Sequence, residues 1–301
     1  MDCGKSMKVD NKLITALIEC WRPETHTFHL PIGEVTVTLE DMQAIWGLRA
    51  DGHVFTGRDY HVGYPDWPSK CQALLGWLPD TGARIHALIL LGGLILPDTT
   101  GCKVPYMWLN ALVDPDEVQN ISWGSAALSY LYHYLCGASI DQRKELGGPM
   151  VLLQLWAWKR MPTLRSLFIG ALVHEPYTPC GARWKGTTHI GNAPRFSFEH
   201  YRDQISLIKP GQFLWTPYAN CMLTDYCRDV TGCSHCDTYL ICWAYVEAHE
   251  AGRVRRQFNQ YQEISQSVDR MLKEADHLKK NNRRGKKGTN WEEMRQFFIG
   301  K

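Results

Sequence analysis

The sequence has few cysteines and no long apolar run. Its 301 residues include 11 cysteines, an odd number that is too small for the disulfide scaffold of a small secreted domain. The longest apolar stretch, residues 87–96, is about half of the ~20 residues that a membrane-spanning helix needs. The N-terminus lacks the apolar stretch of a secretory signal. We therefore expect a folded intracellular protein with free thiols and no membrane partner.

Signature motifs of common enzyme classes are also missing. There is no GxxxxGK[ST] phosphate loop, no GxSxG nucleophile elbow and no HExxH metal helix. Pyridoxal phosphate chemistry needs a Schiff-base lysine, a phosphate cup and an acidic partner for the pyridine nitrogen. Lys159 is the one nominee for that lysine, but it lies at the polar end of a helical pattern, where a lysine is usually solvated or faces the helix dipole. We predict no enzyme activity and no cofactor.

The charged residues are unevenly distributed. The 33 basic and 31 acidic residues give a net charge of +2. Residues 270–287 carry eight of the basic side chains and two acids, so this run has a charge of +6 and the remainder has −4. Such a run is typical of a nuclear-import address, of a phosphate-backbone contact or of a solvated linker. We predict import and a nuclear location, with nucleic-acid contact by the same side chains as the alternative: Lys279, Lys280, Arg283, Arg284, Lys286 and Lys287.

The spacing of apolar residues predicts a mainly α-helical fold with a small N-terminal β-hairpin. Strand-like alternation over residues 28–39 predicts the hairpin, with its turn at Gly33 and Glu34, and a further short strand is expected near residues 213–215. Thr38 and Asp41 resemble a capping box before a helix that Gly47 ends. The remaining helices are predicted at residues 12–21, 69–77, 84–96, 105–113, 125–136, 149–161, 198–208, 238–250, 264–278 and 290–299. We expect one large domain with a body at 12–262, completed by an amphipathic helix, a basic linker and a terminal helix at 263–301.

Two polar groups could carry chemistry, and each also has a structural interpretation. Residues 21–31 hold two histidines and a glutamate, which suit acid–base or metal chemistry. The structural interpretation is that Arg22 pairs with a carboxylate and the histidines cap backbone groups. His26 and His29 fall on opposite faces of a strand, which argues against joint metal binding.

The second group is rich in cysteine. Cys233 and Cys236 have the spacing of a zinc-thiolate pair, which Cys221 or Cys227 would complete. Free thiols in a Cys-rich loop explain the same residues. We predict no metal, with Cys227, Cys233 and Cys236 as the alternative zinc ligands.

The segment ALIECWRPETHTFHLPIGEVTVTLEDMQAIWGLRADG, residues 16–52, resembles the opening signature of the plant mobile domain. Further similarity follows in the family's order, in LLGGLILPD, SWGSAALSYLYHYLC, GGPMVLLQLWAWKRMP and LICWAYVEAHEAGRVRRQF. The resemblance covers roughly residues 12–301. That domain occurs in maintenance-of-meristems proteins, in long-form relatives of a plant serine/threonine phosphatase and in plant transposable elements. The signature residues are Trp21, Arg22, Pro23, Glu24, Thr25, His26 and Phe28.

The resemblance implies a non-enzymatic nuclear interaction module. It implies roles in transposable-element silencing, gene regulation and meristem maintenance, with protein partners such as a phosphatase-like protein or chromatin factors. The family's older label, aminotransferase-like, implies a pyridoxal phosphate site that the residues do not support. The alternatives are a transposon-derived, metal-dependent nuclease and a protein that binds nucleic acid directly.

Overall fold

The computed structural model of this chain describes residues 9–57, 91–97, 108, 115–141, 147–165, 176–184, 197–219, 221–222, 233–263 and 290–299. Within these residues the fold is mainly helical with small antiparallel sheets. The helices are α1 (Asn11–Cys20), α2 (Leu39–Asp41), α3 (Pro115–Val118), α4 (Trp123–Asp141), α5 (Met150–Arg160), α6 (Phe198–Ser206) and α7 (Trp291–Arg295). The strands are β1 (Trp21–Arg22), β2 (Thr27–Leu30), β3 (Gly33–Val35), β4 (Thr238–Cys242) and β5 (Tyr245–His249).

Shorter turns connect these elements. Among the described residues, two of these turns are π-helical, and they cover Met42–Trp46 and Leu91–Ile95. Five are 3₁₀-helical, and they cover Pro162–Leu164, Cys180–Trp184, Pro210–Gln212, Cys233–His235 and Ala251–Phe258.

Helix α1 begins at a side-chain cap and buries one face, as its apolar spacing predicts. The Asp10 carboxylate accepts hydrogen bonds from the backbone N–H groups of Lys12 and Leu13, which satisfies two of the free donors at the helix start. The Tyr201 hydroxyl of α6 donates to the same carboxylate at 2.7 Å. One residue therefore both starts α1 and ties it to α6.

The N-terminal hairpin is confirmed, but its turn is two residues earlier than predicted. The sheet has the order β1-β2-β3 and is antiparallel, with Phe28 opposite Val35 and Leu30 opposite Gly33. Pro31 and Ile32 therefore form the turn, and Gly33 follows it with a φ of 119°, which favours glycine. The alternation of apolar and polar residues continues through Ile32 because that side chain is also buried. The sequence pattern therefore places the turn too late.

The predicted helix at 238–250 is wrong, because these residues form the hairpin of β4 and β5. Five residue pairs join the strands, from Thr238 opposite His249 to Cys242 opposite Tyr245. The segment is buried on both faces, so its apolar spacing did not separate helix from strand. Trp243 makes the turn with a φ of 56°, and its N–H donates to the Phe55 carbonyl at 2.7 Å.

Helices α4 and α5 contribute many buried side chains to the core. Trp156 and Trp158 are fully buried, and α4 packs against both strands of the β4–β5 hairpin. The predicted capping box of Thr38 with Asp41 is present, and Gly47 ends the following turn in the left-handed conformation. The helices predicted at 125–136, 149–161, 198–208 and 290–299 correspond to α4, α5, α6 and α7.

Two further predictions have different outcomes. The strand expected at 213–215 is wrong: the backbone there is irregular, because the Leu214 N–H donates to the Arg160 carbonyl at 2.7 Å rather than to a strand. The helices predicted at 69–77, 105–113 (except residue 108) and 264–278 lie outside the described residues, as does the basic run. Among the helices that are described, none is long and apolar enough to cross a bilayer.

Candidate functional site

The histidine of the opening motif lies in the core. His26 is 1% exposed and has a φ of 51°, which is uncommon for a residue other than glycine. Its Nδ1 lies 2.7 Å from the Ala248 carbonyl oxygen, and its Nε2 lies 3.2 Å from Oε2 of Glu247. A carbonyl only accepts, so Nδ1 carries a proton.

A second histidine contacts the same carboxyl group from the other side. Nδ1 of His133, on α4, lies 3.2 Å from Oε1 of Glu247, and its ring stacks on Tyr245 with 4.0 Å between centroids. Glu247 is 0% exposed. The two histidines contact different oxygens, so they bracket the carboxyl group instead of converging on one point. Over the described part of the chain, no group of three His, Cys, Asp or Glu side chains could hold a metal ion.

Tyr132 links this arrangement to the N-terminal sheet. Its hydroxyl donates to the Val37 carbonyl at 2.6 Å, and it lies 3.0 Å from Oγ1 of Thr36 and 3.4 Å from Nδ1 of His249. Burial lowers the pKa of His249 to about 4 and raises the pKa of Tyr132 well above its usual range. Both side chains are therefore neutral near pH 7. We call His26, Tyr132, His133, Glu247 and His249 the histidine cluster.

A buried ion pair forms the second polar cluster. Asp41 and Arg160 are both 0% exposed, and Oδ1 of Asp41 accepts from Nε of Arg160 at 3.0 Å and from Nη2 at 2.8 Å. The Tyr218 hydroxyl donates to the same oxygen at 2.6 Å. Oδ2 of Asp41 accepts from the backbone N–H and the hydroxyl of Thr38, each at 2.8 Å. We call Thr38, Asp41, Arg160 and Tyr218 the arginine cluster.

The arginine cluster joins three parts of the chain. Asp41 ends α2, Arg160 ends α5, and Tyr218 lies in the segment after α6. The third guanidinium nitrogen, Nη1 of Arg160, donates to the Trp215 carbonyl at 2.8 Å. Burial and the nearby Asp41 carboxylate raise the pKa of Glu40 to about 7, although 32% of that side chain is exposed. The cluster therefore satisfies a buried charge pair with hydrogen bonds and holds these segments together.

Comparison with known proteins agrees with the resemblance of the opening motif. The sequence profile of the family described as Plant mobile domain matches residues 3–87 and 81–299 of this chain. The chain belongs to the plant mobile domain family. No solved structure matches it.

Three relatives from Arabidopsis thaliana match most of this plant mobile domain chain. "Serine/threonine-protein phosphatase 7 long form homolog" is 34% identical over an alignment of 336 residues, gaps included. The alignment covers 98% of this chain and 24% of the relative. "Protein MAIN-LIKE 2" is 31% identical, with 90% of this chain and 45% of the relative covered. "Protein MAINTENANCE OF MERISTEMS" is 27% identical, with 90% and 62% covered. The chain thus spans less than two thirds of the length of each of these relatives.

The signature residues of the plant mobile domain divide between core and surface. Trp21 is buried, and its Nε1–H donates to Sγ of Cys136 at 3.2 Å. Phe28 is buried against Trp21, Pro23 and Thr25 are partly buried, and Glu24 is exposed. As predicted, His26 caps a backbone carbonyl and lies on the opposite side from His29, which is exposed.

Within the described part of the chain, Arg22 contacts backbone carbonyls and not the carboxylate that the structural interpretation gave it. Its Nη1 donates to the backbone carbonyls of Glu19 and Trp21, at 3.2 and 3.1 Å. Arg22 is exposed at the end of the short strand β1, so its guanidinium turns back over the end of α1. The side chain satisfies helix carbonyls there, which a basic group does favourably.

The other predicted site residues lie apart from both clusters or outside the described residues. Cys233 is partly buried and Cys236 is exposed, and neither forms a disulfide, while Cys227 lies in a part of the chain that is not described. Of the two positions expected for Lys159, solvent is wrong, because the segment after α6 covers the side chain, while the last turn of the helix is where the residue lies. Lys159 is buried, and its ammonium donates to Sγ of Cys221 at 3.5 Å.

Sequence reasoning missed most of the residues that form the two clusters. The sequence predicts Asp41 only as part of a helix cap. The one sign of its second role, the pairing with Arg160, is that a carboxylate lies on the apolar face of the predicted helix. Glu247 and His249 alternate with apolar residues in β5, a pattern that a helical interpretation concealed. Nothing in the spacing indicates that Arg160 reaches Asp41, which is 119 residues away in the chain.

Proposed function

We propose that this chain is a non-enzymatic protein interaction module that acts in the nucleus, in transposable-element silencing, gene regulation and meristem maintenance. One observation carries the non-enzymatic part: the histidines and carboxylates best suited to chemistry, His26, Glu247 and Asp41, are buried and engaged by other groups of the chain. A catalytic acid or base must reach its substrate. The name of one relative, MAINTENANCE OF MERISTEMS, supports the biological setting.

Exposed apolar side chains near the C-terminus support the interaction part. Met294 and Phe297 are three residues apart and are 57% and 53% exposed. Trp291 and Phe298 from the same segment are buried, so the segment is anchored while it presents two apolar groups. Exposed apolar groups that lie together often mark interaction sites. We call Met294 and Phe297 the terminal patch.

A comparison of affinity-purified complexes tests the proposal. The tagged full chain, the double variant Met294→Asp/Phe297→Asp and the control Tyr261→Asp are each purified from plant nuclei, and copurifying proteins are quantified by mass spectrometry. Tyr261 is the matched control because it is 83% exposed and lies elsewhere in the sequence. We expect a stable partner set with the wild type and with Tyr261→Asp, and its loss with the double variant.

Two results would contradict the interaction module. One is that no protein copurifies with the wild type above the level of an unrelated tagged protein. The other is Mg²⁺-dependent cleavage of nucleic acid that a single carboxylate substitution abolishes, which would favour the nuclease.

The nuclear location has its own test in the basic run. We expect the replacement of Lys279, Lys280, Arg283 and Arg284 by Ala to disperse a fluorescent fusion that is too large for passive entry. The matched control replaces four exposed basic residues elsewhere in the chain. Unchanged nuclear accumulation of the fourfold variant would contradict a role for this run in import.

A further inference from the structure

Two cysteines from distant parts of the sequence meet beside a buried ammonium group. Cys180 begins the 3₁₀ turn at 180–184, and Cys221 follows the segment that carries Tyr218. The side chain of Cys180 lies beside that of Cys221, within reach of a hydrogen bond between the two thiols. Nζ of Lys159, near the end of α5, donates to Sγ of Cys221 at 3.5 Å. Cys180 is buried and Cys221 is partly exposed.

The backbone holds the two thiols in this position. The Tyr177 N–H donates to the Met222 carbonyl at 2.9 Å, so the chain just before Cys180 runs beside the chain just after Cys221. The turn that begins at Cys180 also lies close to the body of the protein, because a Cβ on Gly181 would lie only 2.5 Å from the Ile45 carbonyl oxygen. The pairing of the thiols is therefore built into the packing.

We propose that Cys180 and Cys221 form a reversible redox pair, in which Cys221 reacts with hydrogen peroxide and Cys180 closes the disulfide. The Lys159 ammonium stabilises the Cys221 thiolate, which is the reactive form of a thiol. Partial exposure gives a small oxidant access to Cys221, while burial keeps Cys180 from reacting first. Neither the family signature nor the two polar clusters assigns this role to the three residues.

The chemistry balances in two steps. In the first, the Cys221 thiolate attacks one peroxide oxygen, an S–O bond forms, the O–O bond breaks, and the departing hydroxide takes the proton that the Cys221 thiol released when it ionised. In the second, the Cys180 sulfur attacks the Cys221 sulfur, an S–S bond forms, the S–O bond breaks, and the leaving hydroxide takes the Cys180 proton. Two thiols and one hydrogen peroxide thus give one disulfide and two waters.

The charges around Cys180 suit this order of events. Its hydrogen bond with Cys221 and its burial raise the pKa of the Cys180 thiol, and the Lys159 ammonium opposes them. When Cys221 becomes a neutral sulfenic acid, the repulsion from its thiolate is gone while the ammonium remains. The second thiol is therefore activated only after the first has reacted.

Peroxide titration of the reduced full chain at pH 7 tests the pair. After each addition the free thiols are blocked with N-ethylmaleimide, and the digested protein is analysed by mass spectrometry. We expect the Cys180–Cys221 disulfide to appear before oxidation of any other cysteine and to vanish with dithiothreitol. Cys236 is an internal control, because its thiol is more exposed than that of Cys221. Earlier oxidation of Cys236 or Cys20, or a disulfide from Cys221 to another cysteine, would overturn the proposal.

Variants separate the roles of the three side chains. With Cys180→Ser we expect oxidation to stop at a Cys221 sulfenic acid that dimedone traps. With Lys159→Met we expect the rate of Cys221 oxidation to fall roughly three- to tenfold, because less of the thiol is ionised. Lys159→Arg keeps the charge and should restore most of the rate, and Cys20→Ser should leave it unchanged. Equal rates in Lys159→Met and the wild type, with both folded by circular dichroism, would refute the role of the ammonium.

Discussion

Replacing Arg160 by Met should destabilise the protein strongly, because it leaves the Asp41 carboxylate without its counter-charge in the core. Both side chains are 0% exposed, and Arg160 gives two hydrogen bonds to Asp41 and one to the Trp215 carbonyl. Breaking a buried ion pair from one side costs about 3–5 kcal/mol. Tyr218 and Thr38 still donate to the carboxylate in the variant, so we expect a loss of about 3 kcal/mol, the low end of this range.

An exposed ion pair provides the matched control for this substitution. Nε of Arg202 lies 2.9 Å from Oε2 of Glu19, and the two side chains are 58% and 38% exposed. Exposed pairs contribute about 1 kcal/mol or less, so Arg202→Met should change the free energy of unfolding by no more than that amount.

Urea unfolding followed by tryptophan fluorescence and circular dichroism measures both variants. A double-mutant cycle with Asp41→Asn isolates the pair itself, and we expect a coupling energy of at least about 1.5 kcal/mol between Arg160 and Asp41. A loss in Arg160→Met no larger than in Arg202→Met would refute the structural role of the arginine cluster. So would a coupling energy near zero.

Three further substitutions test other parts of the structure. Folding holds the pKa of His249 at about 4, below its ordinary 6.5, so the stability that depends on the neutral imidazole is full above pH 6.5 and is lost as the pH falls toward 4. The wild type should therefore lose about 2 kcal/mol more stability than His249→Gln between pH 6.5 and 4.5. Equal losses in the two proteins would contradict this. Gly52→Ala should cost at least about 2 kcal/mol in urea unfolding, because the new Cβ would lie 2.2 Å from the Asn120 carbonyl oxygen at a φ of 115°; an unchanged midpoint would disprove the close approach. Thr38→Ala should cost about 1–2 kcal/mol by removing the helix cap, and Thr38→Ser should restore most of it if the hydroxyl is responsible.

The sequence predicted elements best where apolar spacing and a local cap agreed. Helix α1 and the capping box of Thr38 with Asp41 have signals that lie within a few residues of each other, and both are present. The β4–β5 hairpin was missed because its residues are buried on both faces, and its turn uses Trp243 in a left-handed conformation where sequence rules expect Gly or Asn. Burial in the core, rather than the local conformational preference of its residues, therefore determines the secondary structure of this segment.

The polar clusters depend on contacts that no local pattern encodes. Glu247 meets His26 and His133 across separations of more than 100 residues, and Asp41 meets Arg160 across 119. The signature predicted that residues 21–28 matter, and the structure adds a physical reason for Trp21, His26 and Phe28, which pack and hydrogen-bond in the core. Their partners on α4 and β5 were visible only after the chain was folded.

The free energy of unfolding of Glu247→Leu tests most directly whether the polar residues around the signature serve the fold rather than a reaction. The substitution keeps the approximate volume of the side chain but removes both oxygens, so the ring nitrogens of His26 and His133 that face them lose these contacts. We predict a loss of at least about 2 kcal/mol, from hydrogen bonds to a buried carboxyl group. Residues kept for activity often leave a protein as stable or more stable when they are replaced. A Glu247→Leu variant with unchanged or higher stability would contradict the structural role.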